Sequence, residues 1–127
     1  MAAKPVLDPL MTSITSPYTP ALVAGPFMFL SGQIGRDPET QEAGATIEEQ
    51  TEQALTNMKR LLAEAGADLS HVVSTTIFLA RRREDFQGMN SVYKKFFSEP
   101  YPTRATVGVT LGKPDALIEI QAIAYVG

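Results

Sequence analysis

Hydrophobic and polar positions recur along this chain with two different periods, and the switches between them mark out its elements. From Ala21 to Ala24 and from Phe27 to Ile34 the residues are branched, aromatic or small, on either side of Gly25-Pro26. That pattern predicts two strands joined as a hairpin, and Gly35-Arg36-Asp37-Pro38 supplies the next break. Upstream, residues 1 to about 16 show no clear period and read as an extended or frayed arm, while Pro17 makes the approach to Tyr18 non-helical. Further on the period lengthens. Thr46-Ile47-Glu48-Glu49 has the form of a capping box, in which the Thr46 hydroxyl accepts from the Glu49 amide and the Glu49 side chain answers the Thr46 amide. Ile47, Thr51, Ala54, Met58, Leu61, Leu62 and Ala65 then follow at three- and four-residue steps, so a helix runs from here to Gly66, a left-handed cap.

His71 to Ala80 is rich in β-branched residues and predicts a buried strand. After Arg81-Arg82-Arg83, the residues Phe86, Met89, Val92, Tyr93, Phe96 and Phe97 mark a second amphipathic helix, stopped before Pro100 and Pro102. Arg104 to Leu111 and Leu117 to Val126 predict two final strands, set side by side around a Gly112-Lys113-Pro114-Asp115 turn. The order ββαβαββ, without repeats or low-complexity segments, implies a single domain over residues 1–127, an α+β sandwich with helices on one face of one sheet.

Side chains alternate across a strand, so Ile118, Ile120, Ala122, Ala124 and Val126 share the helix-facing side of the last strand. Leu117, Glu119, Gln121, Ile123 and Tyr125 share the other. By the same alternation Ala105, Val107, Val109 and Leu111 are expected on the core face, and Arg104, Thr106, Gly108 and Thr110 on the face of Glu119. Phe27, Phe29, Ser31 and Gln33 also mix aromatic and polar groups. A face half apolar and half polar, with no helix left to cover it, is the pattern of a homo-oligomer, although an antiparallel sheet can also leave such a face in water.

Composition narrows the chemistry. The 127 residues are 44% hydrophobic and 20% charged, as in an ordinary globular domain, and the net charge of -3 makes nucleic-acid binding the weaker hypothesis. Zero Cys removes disulfides, thiolate zinc sites and thiol nucleophiles, and one His leaves no His-rich metal site, while a carboxylate-bound hard cation stays open. No apolar run approaches the ~20 residues of a membrane-spanning helix. Asp8 with Pro5, Pro9 and Pro17 interrupts the stretch a signal peptide would need, so the expected compartment is the cytoplasm.

Arg104 and Glu119, expected on adjacent strands and one face, are the residues with chemistry to offer. A guanidinium forks onto a carboxylate, which makes Arg104 an anchor for an organic acid, and a carboxylate beside it can hold or deprotonate a water. The same two residues also read as a plain cross-strand ion pair.

Five segments, Ser16-Pro17-Tyr18, Leu30-Ser31-Gly32-Gln33-Ile34-Gly35, Asn90-Ser91-Val92-Tyr93-Lys94-Lys95-Phe96-Phe97, Tyr101-Pro102-Thr103-Arg104-Ala105-Thr106 and Ile118-Glu119-Ile120-Gln121-Ala122-Ile123-Ala124, resemble those of the RidA family, also called YjgF. The likeness runs from about Ile14 to near the end of the chain. The resemblance implies a chorismate-mutase-like fold and a homotrimer whose sheets build a central barrel, with three ligand clefts between subunits. It further implies hydrolytic deamination of reactive enamines and imines, such as 2-aminoacrylate and other 2-imino acids, to 2-oxo acids and ammonia, without metal or organic cofactor. Matched residue by residue, Arg104 takes the place of the arginine that grips the substrate carboxylate, and Glu119 that of the carboxylate that positions the attacking water. Tyr18, Ser31, Asn90, Ala105 and Thr106 fall at substrate-binding positions, with a backbone group near Arg104 orienting the imine nitrogen. The chain departs from the family pattern at Thr106, where many active members carry Cys, and at Ser16, where Gly is usual.

Two other functions remain open at this point. One is non-catalytic binding of 2-oxo acids, as a sensor or holdase. The other is an endoribonuclease-type translation inhibitor, for which the Arg81-Arg82-Arg83 run, taken as a loop beside His71, is the one feature available.

Overall fold

Both periods are realised in the computed structural model, which describes residues 3–6, 8 and 16–127. In chain order the elements are β1 (Lys4–Pro5), β2 (Ala21–Ala24), β3 (Phe27–Ile34), α1 (Ile47–Glu64), a 3-10 turn (Leu69–His71), β4 (Val72–Leu79), α2 (Arg82–Phe96), β5 (Thr103–Gly108) and β6 (Ile118–Tyr125). The β2–β3 hairpin closes with Ala24 opposite Phe27, and Gly25 sits between them at φ +60°, a conformation that favours glycine. At the start of α1 the Thr46 hydroxyl accepts from the Glu49 amide at 3.2 Å, as expected. The Glu49 carboxylate, however, takes the Thr46 hydroxyl proton rather than the Thr46 amide, so only half of the predicted box forms. The helix ends before Gly66, at φ +70°.

α1 and α2 lie on one face of a six-stranded sheet of order β1-β2-β3-β6-β4-β5. Met28, Leu30, Leu55, Met58, Leu61, Leu62, Ile77, Leu79, Met89, Ile118 and Ile120 are wholly buried between them and form the core. The N-terminal arm is more than frayed chain: Lys4 and Pro5 pair with Val23 and Leu22, Val6 is buried, and the buried Asp8 carboxylate meets the Arg60 guanidinium. The rest of the predicted arm, and the start of the family likeness at Ile14, lie outside the described residues.

The last two strands depart from expectation. β5 does not form a hairpin with β6; it runs parallel to β4 at the sheet edge, and β6 pairs antiparallel with β4 on the other side. The reason is the crossover through α2, which returns the chain to the end of the sheet where β4 began and so sets β5 parallel to it. The link between Gly108 and Ile118 then carries the chain across the far end of β4, where the Val109 amide donates to the Leu79 carbonyl and the Ala80 amide to the Leu117 carbonyl, both at 3.0 Å.

This insertion reverses the faces of β5. Arg104 is in register with buried Thr75, and Thr106 with buried Ile77, so both rise on the helix side, while Ala105 and Val107 emerge on the helix-free side. A bulge in β3 between Leu30 and Gln33 also changes phase: Gln33, expected on the mixed face with Phe27 and Phe29, pairs with core-facing Ile120, and Ile34 lies beside Glu119. The helix-free face leaves Phe27, Phe29, Val73, Val107 and Tyr125 each 39–48% exposed. Among the described residues no helix is long and apolar enough to cross a membrane.

Candidate functional site

One half of the candidate site is built on α2 and β5. Phe86, Asn90 and Tyr93 recur at four- and three-residue steps and so share one side of α2, the side that faces the β5 edge. The Arg104 guanidinium lies against them: Nη1 donates to Asn90 Oδ1 at 2.8 Å, and its central carbon stands 4.9 Å from the Tyr93 ring centroid and 5.8 Å from that of Phe86. Tyr93 is itself buried and shares a 2.9 Å hydrogen bond with the Thr75 hydroxyl. Burial pushes its phenol above the ordinary value, outweighing the Thr75 bond and the nearby Arg104 charge, which act the other way. Tyr93 is therefore a neutral platform. The exposed Arg104 fork keeps most of its donors for a ligand in a cavity of about 320 Å³, lined by Asn90, Tyr93, Lys94, Tyr101, Pro102 and Arg104.

The other half lies on the helix-free face. Glu119 of β6 is flanked by Ile34 on β3 and Phe78 on β4, and its carboxylate rests over Gly32, where any Cβ would overlap it. The Ser31 hydroxyl donates to the Thr19 carbonyl at 2.6 Å, and its amide donates to the Pro20 carbonyl at 2.8 Å, which ties the Tyr18 segment to β3. A concavity of about 550 Å³ results, lined by Tyr18, Ser31, Gly32, Ile34, Phe78, Gly112, Lys113, Glu119 and Gln121. Among the described residues the Glu119 carboxylate has no hydrogen-bond or ion-pair partner.

The two halves do not meet within one chain. Arg104 is level with Thr75 and Glu119 with Phe78, and β4 stands between their strands, an offset of roughly 10 Å along the sheet and 10 Å across it. They also point to opposite faces. The expected pairing of Arg104 and Glu119 on adjacent strands and a common face is thus corrected, and with it the plain ion pair. The structure brings Arg104 together with Asn90, with Thr106 on the same side of β5, and it brings Glu119 together with Tyr18 and Ser31. Ala105 faces away from α2. Sequence reading missed Tyr93 and Phe86 as supports of Arg104, although their spacing from Asn90 carried the signal, and it missed Gly32 as the floor beneath Glu119.

Nor does the basic run form a patch with His71. Arg81 caps α2 and donates twice to buried Asp85, each bond 3.1 Å, while Arg82 opens the helix and stacks on Phe86 at 4.9 Å. His71 accepts from the Asp68 amide at 3.1 Å at the opposite end of the eight-residue β4, about 26 Å away. Among the described residues no cluster of three or more His, Asp or Glu is placed to hold a metal ion.

The model of the family described as Endoribonuclease L-PSP matches residues 11–126. A RutC family protein of Pyrococcus abyssi is 46% identical over 110 residues, 86% of each chain. The 2-iminobutanoate/2-iminopropanoate deaminase of Dermatophagoides farinae is 38% identical over 128 residues, covering 99% of each. Among solved structures, RidA from the Antarctic bacterium Psychrobacter superposes with a TM-score of 0.88 at 32% identity, over 97% of this chain and 100% of its own.

Proposed function

We propose, from the premise that this chain belongs to the RidA (YjgF) family, that it hydrolyses small 2-imino acids and their enamine tautomers to 2-oxo acids and ammonia in clefts between subunits of a homotrimer. The observation that carries this is the separation of an open anion anchor, Arg104, from a carboxylate without a partner among the described residues, Glu119, on opposite faces of a sheet whose aromatic side is uncovered. Each half lacks what the other has. A second copy seated on the apolar face buries Phe27, Phe29 and Tyr125 and sets its own half-site opposite that of its neighbour.

In the joined cleft the Arg104 fork pairs with the substrate carboxylate, its plane fixed by Asn90 and by the Tyr93 and Phe86 rings. β5 is an edge strand, so alternate peptide groups along it point away from β4; the Thr106 carbonyl takes the Arg82 Nε proton, and another outward group beside Arg104 orients the imine nitrogen. Glu119 accepts a proton from a water as the oxygen bonds to C2, and the C=N pair moves to nitrogen, which takes up a proton from solvent; Glu119 then returns its proton to that nitrogen as the C–N bond breaks, the hydroxyl releases its proton to solvent, and 2-oxo acid and ammonia leave. Imines hydrolyse readily in water, so positioning and a modest field suffice. Thr106 in place of a thiol touches neither anchor nor base. Its hydroxyl, on the Arg104 side of β5, tunes which side chains the cleft accepts.

The test is release of 2-oxo acid from an imino acid generated in situ by an amino-acid oxidase. Wild type is expected to accelerate it, Arg104→Ala to lose the acceleration, and Glu119→Ala to keep 2-oxo acid binding while losing turnover. Binding that survives without turnover in wild type itself would favour the sensor reading, and equal rates for wild type and no protein refute the deaminase.

A further inference from the structure

The cavity in front of Arg104 holds more positive charge than a substrate with one carboxylate needs. Lys94 lies one helical turn beyond Asn90 on the same side of α2, and both line that cavity with Arg104, whereas among the described residues no acidic side chain does. Among the described residues Lys94 forms no ion pair. The Glu119 half-site brings a further cation of its own, Lys113. Joined, the two halves therefore set three cations against one carboxylate. A substrate with a single acid group occupies Arg104 and leaves an unmatched lysine at the rim, while a second acid group balances the cleft.

Reach agrees with charge. One helical turn separates Asn90 from Lys94 by about 5–6 Å, and the guanidinium sits against Asn90, so the flexible lysine stem can bring its ammonium to within several ångströms of Arg104. The terminal carbons of a four- or five-carbon dicarboxylate are about 4–5 Å apart at ordinary C–C lengths of about 1.5 Å. We infer that the cleft takes 2-imino acids bearing a second carboxylate, with Arg104 holding the carboxylate next to the imine and Lys94 the distal one. This specificity rests on the imine-hydrolysing reading above, and Lys94 is its determinant.

The experiment compares imines made in situ from L-aspartate or L-glutamate with those from L-alanine or L-2-aminobutyrate, for wild type and Lys94→Met. Calorimetric binding of the corresponding 2-oxo acids runs in parallel. The ratio of kcat/KM for dicarboxylic over monocarboxylic imines is expected to fall about tenfold in Lys94→Met, and the binding ratio with it. A ratio unmoved by the substitution, with monocarboxylic imines still hydrolysed, overturns the second-carboxylate inference and leaves the deaminase standing. Should no imine be hydrolysed, the deaminase fails and the binding arm decides: a Lys94-dependent preference for the 2-oxo dicarboxylate upholds the anchor, and equal binding removes it. High salt is expected to erase the preference, because Lys94 is solvent-exposed.

Discussion

Replacing Gly32 by alanine should cut turnover about 100-fold while leaving the fold intact. A Cβ at Gly32 would stand 2.6 Å from the Glu119 carboxyl carbon and 2.8 Å from its Cγ, and would overlap the nearer oxygen. Ordinary carbon contacts begin near 3.5 Å, so the carboxyl group must retreat by about 1 Å. It can do so, because the obstructing atoms are the free end of a side chain and not backbone, and Gly32 has no left-handed φ that would strain an alanine. The cost in stability is that of one displaced rotamer, up to about 1.5 kcal/mol, or no more than about 6 °C in Tm for a chain of this size. The cost in rate is much larger. Misplacing a catalytic group by about 1 Å costs about 100-fold. The expected result is a kcat about 100-fold lower, with 2-oxo acid binding within about threefold of wild type since Arg104 is untouched. Gly25→Ala is the contrast: open space but φ +60°, hence about 1 kcal/mol of strain and an unchanged kcat. A Gly32→Ala enzyme with full activity would refute the placement of Glu119 at the reacting water; one that melts more than about 10 °C early would make Gly32 a structural residue.

Asn90→Leu removes the acceptor that holds Nη1 of Arg104, and is expected to raise KM about tenfold with a smaller effect on kcat; Asn90→Asp should raise KM too, because a carboxylate there competes with substrate for the guanidinium. Tyr93→Phe leaves buried Thr75 with only a long 3.5 Å bond to the Thr103 carbonyl and should cost about 1 kcal/mol near neutral pH, read by thermal melting. Because folding raises the Tyr93 phenol above its ordinary value of 10.0, its contribution is fully present below pH 10 and is lost as pH rises through the folded value, so wild-type Tm should fall more steeply above pH 10 than that of Tyr93→Phe. Phe29→Asp places a charge where the proposed subunit contact excludes water, at a cost of several kcal/mol, and should give monomers by sedimentation with unchanged helical circular dichroism and no turnover; a trimer that persists refutes the use of this face. RNA should not bind even at low ionic strength, given a net charge of -3 and an Arg81 already committed to Asp85; retention at 50 mM salt would overturn this.

The elements legible in the sequence are those decided over a few residues. The hairpin at Gly25-Pro26 and α1 occupy the expected positions, and α2 carries the expected stripe but begins at Arg82, inside the run read as a loop, since a turn glycine or an apolar stripe needs no knowledge of distant chain whereas a polar first turn shows no stripe. The capping box was legible to the same extent: the Thr46 oxygen must meet an amide one turn ahead, whereas the Glu49 carboxylate was free to prefer the hydroxyl over the amide. The bulge between Leu30 and Gln33 was not legible from alternation, and the close approach of the Glu119 carboxylate to Gly32 was not either, because both depend on how β3 pairs with β6, a distant strand.

What decided the site was strand neighbourhood, which local pattern does not encode. A tight turn at Gly112-Lys113-Pro114-Asp115 and a longer link across the end of β4 suit the same residues, and only the second leaves room for β4 between β5 and β6. Inserting that strand sets the phase of β5 against β4 rather than β6, and the side chains of Arg104 and Thr106 change face. The polar phase of β5 then turns toward the open flank of α2, where Asn90 and the rings of Phe86 and Tyr93 can hold a guanidinium; the apolar phase, Ala105 and Val107, joins Phe27 and Phe29 on the uncovered side. A single topological step therefore both takes the anchor away from Glu119 within the chain and completes an apolar face on which a second copy can rest. Under the proposed function these have one consequence: a lone chain has both functional groups and no catalyst, so activity per chain should fall with dilution wherever the assembly dissociates.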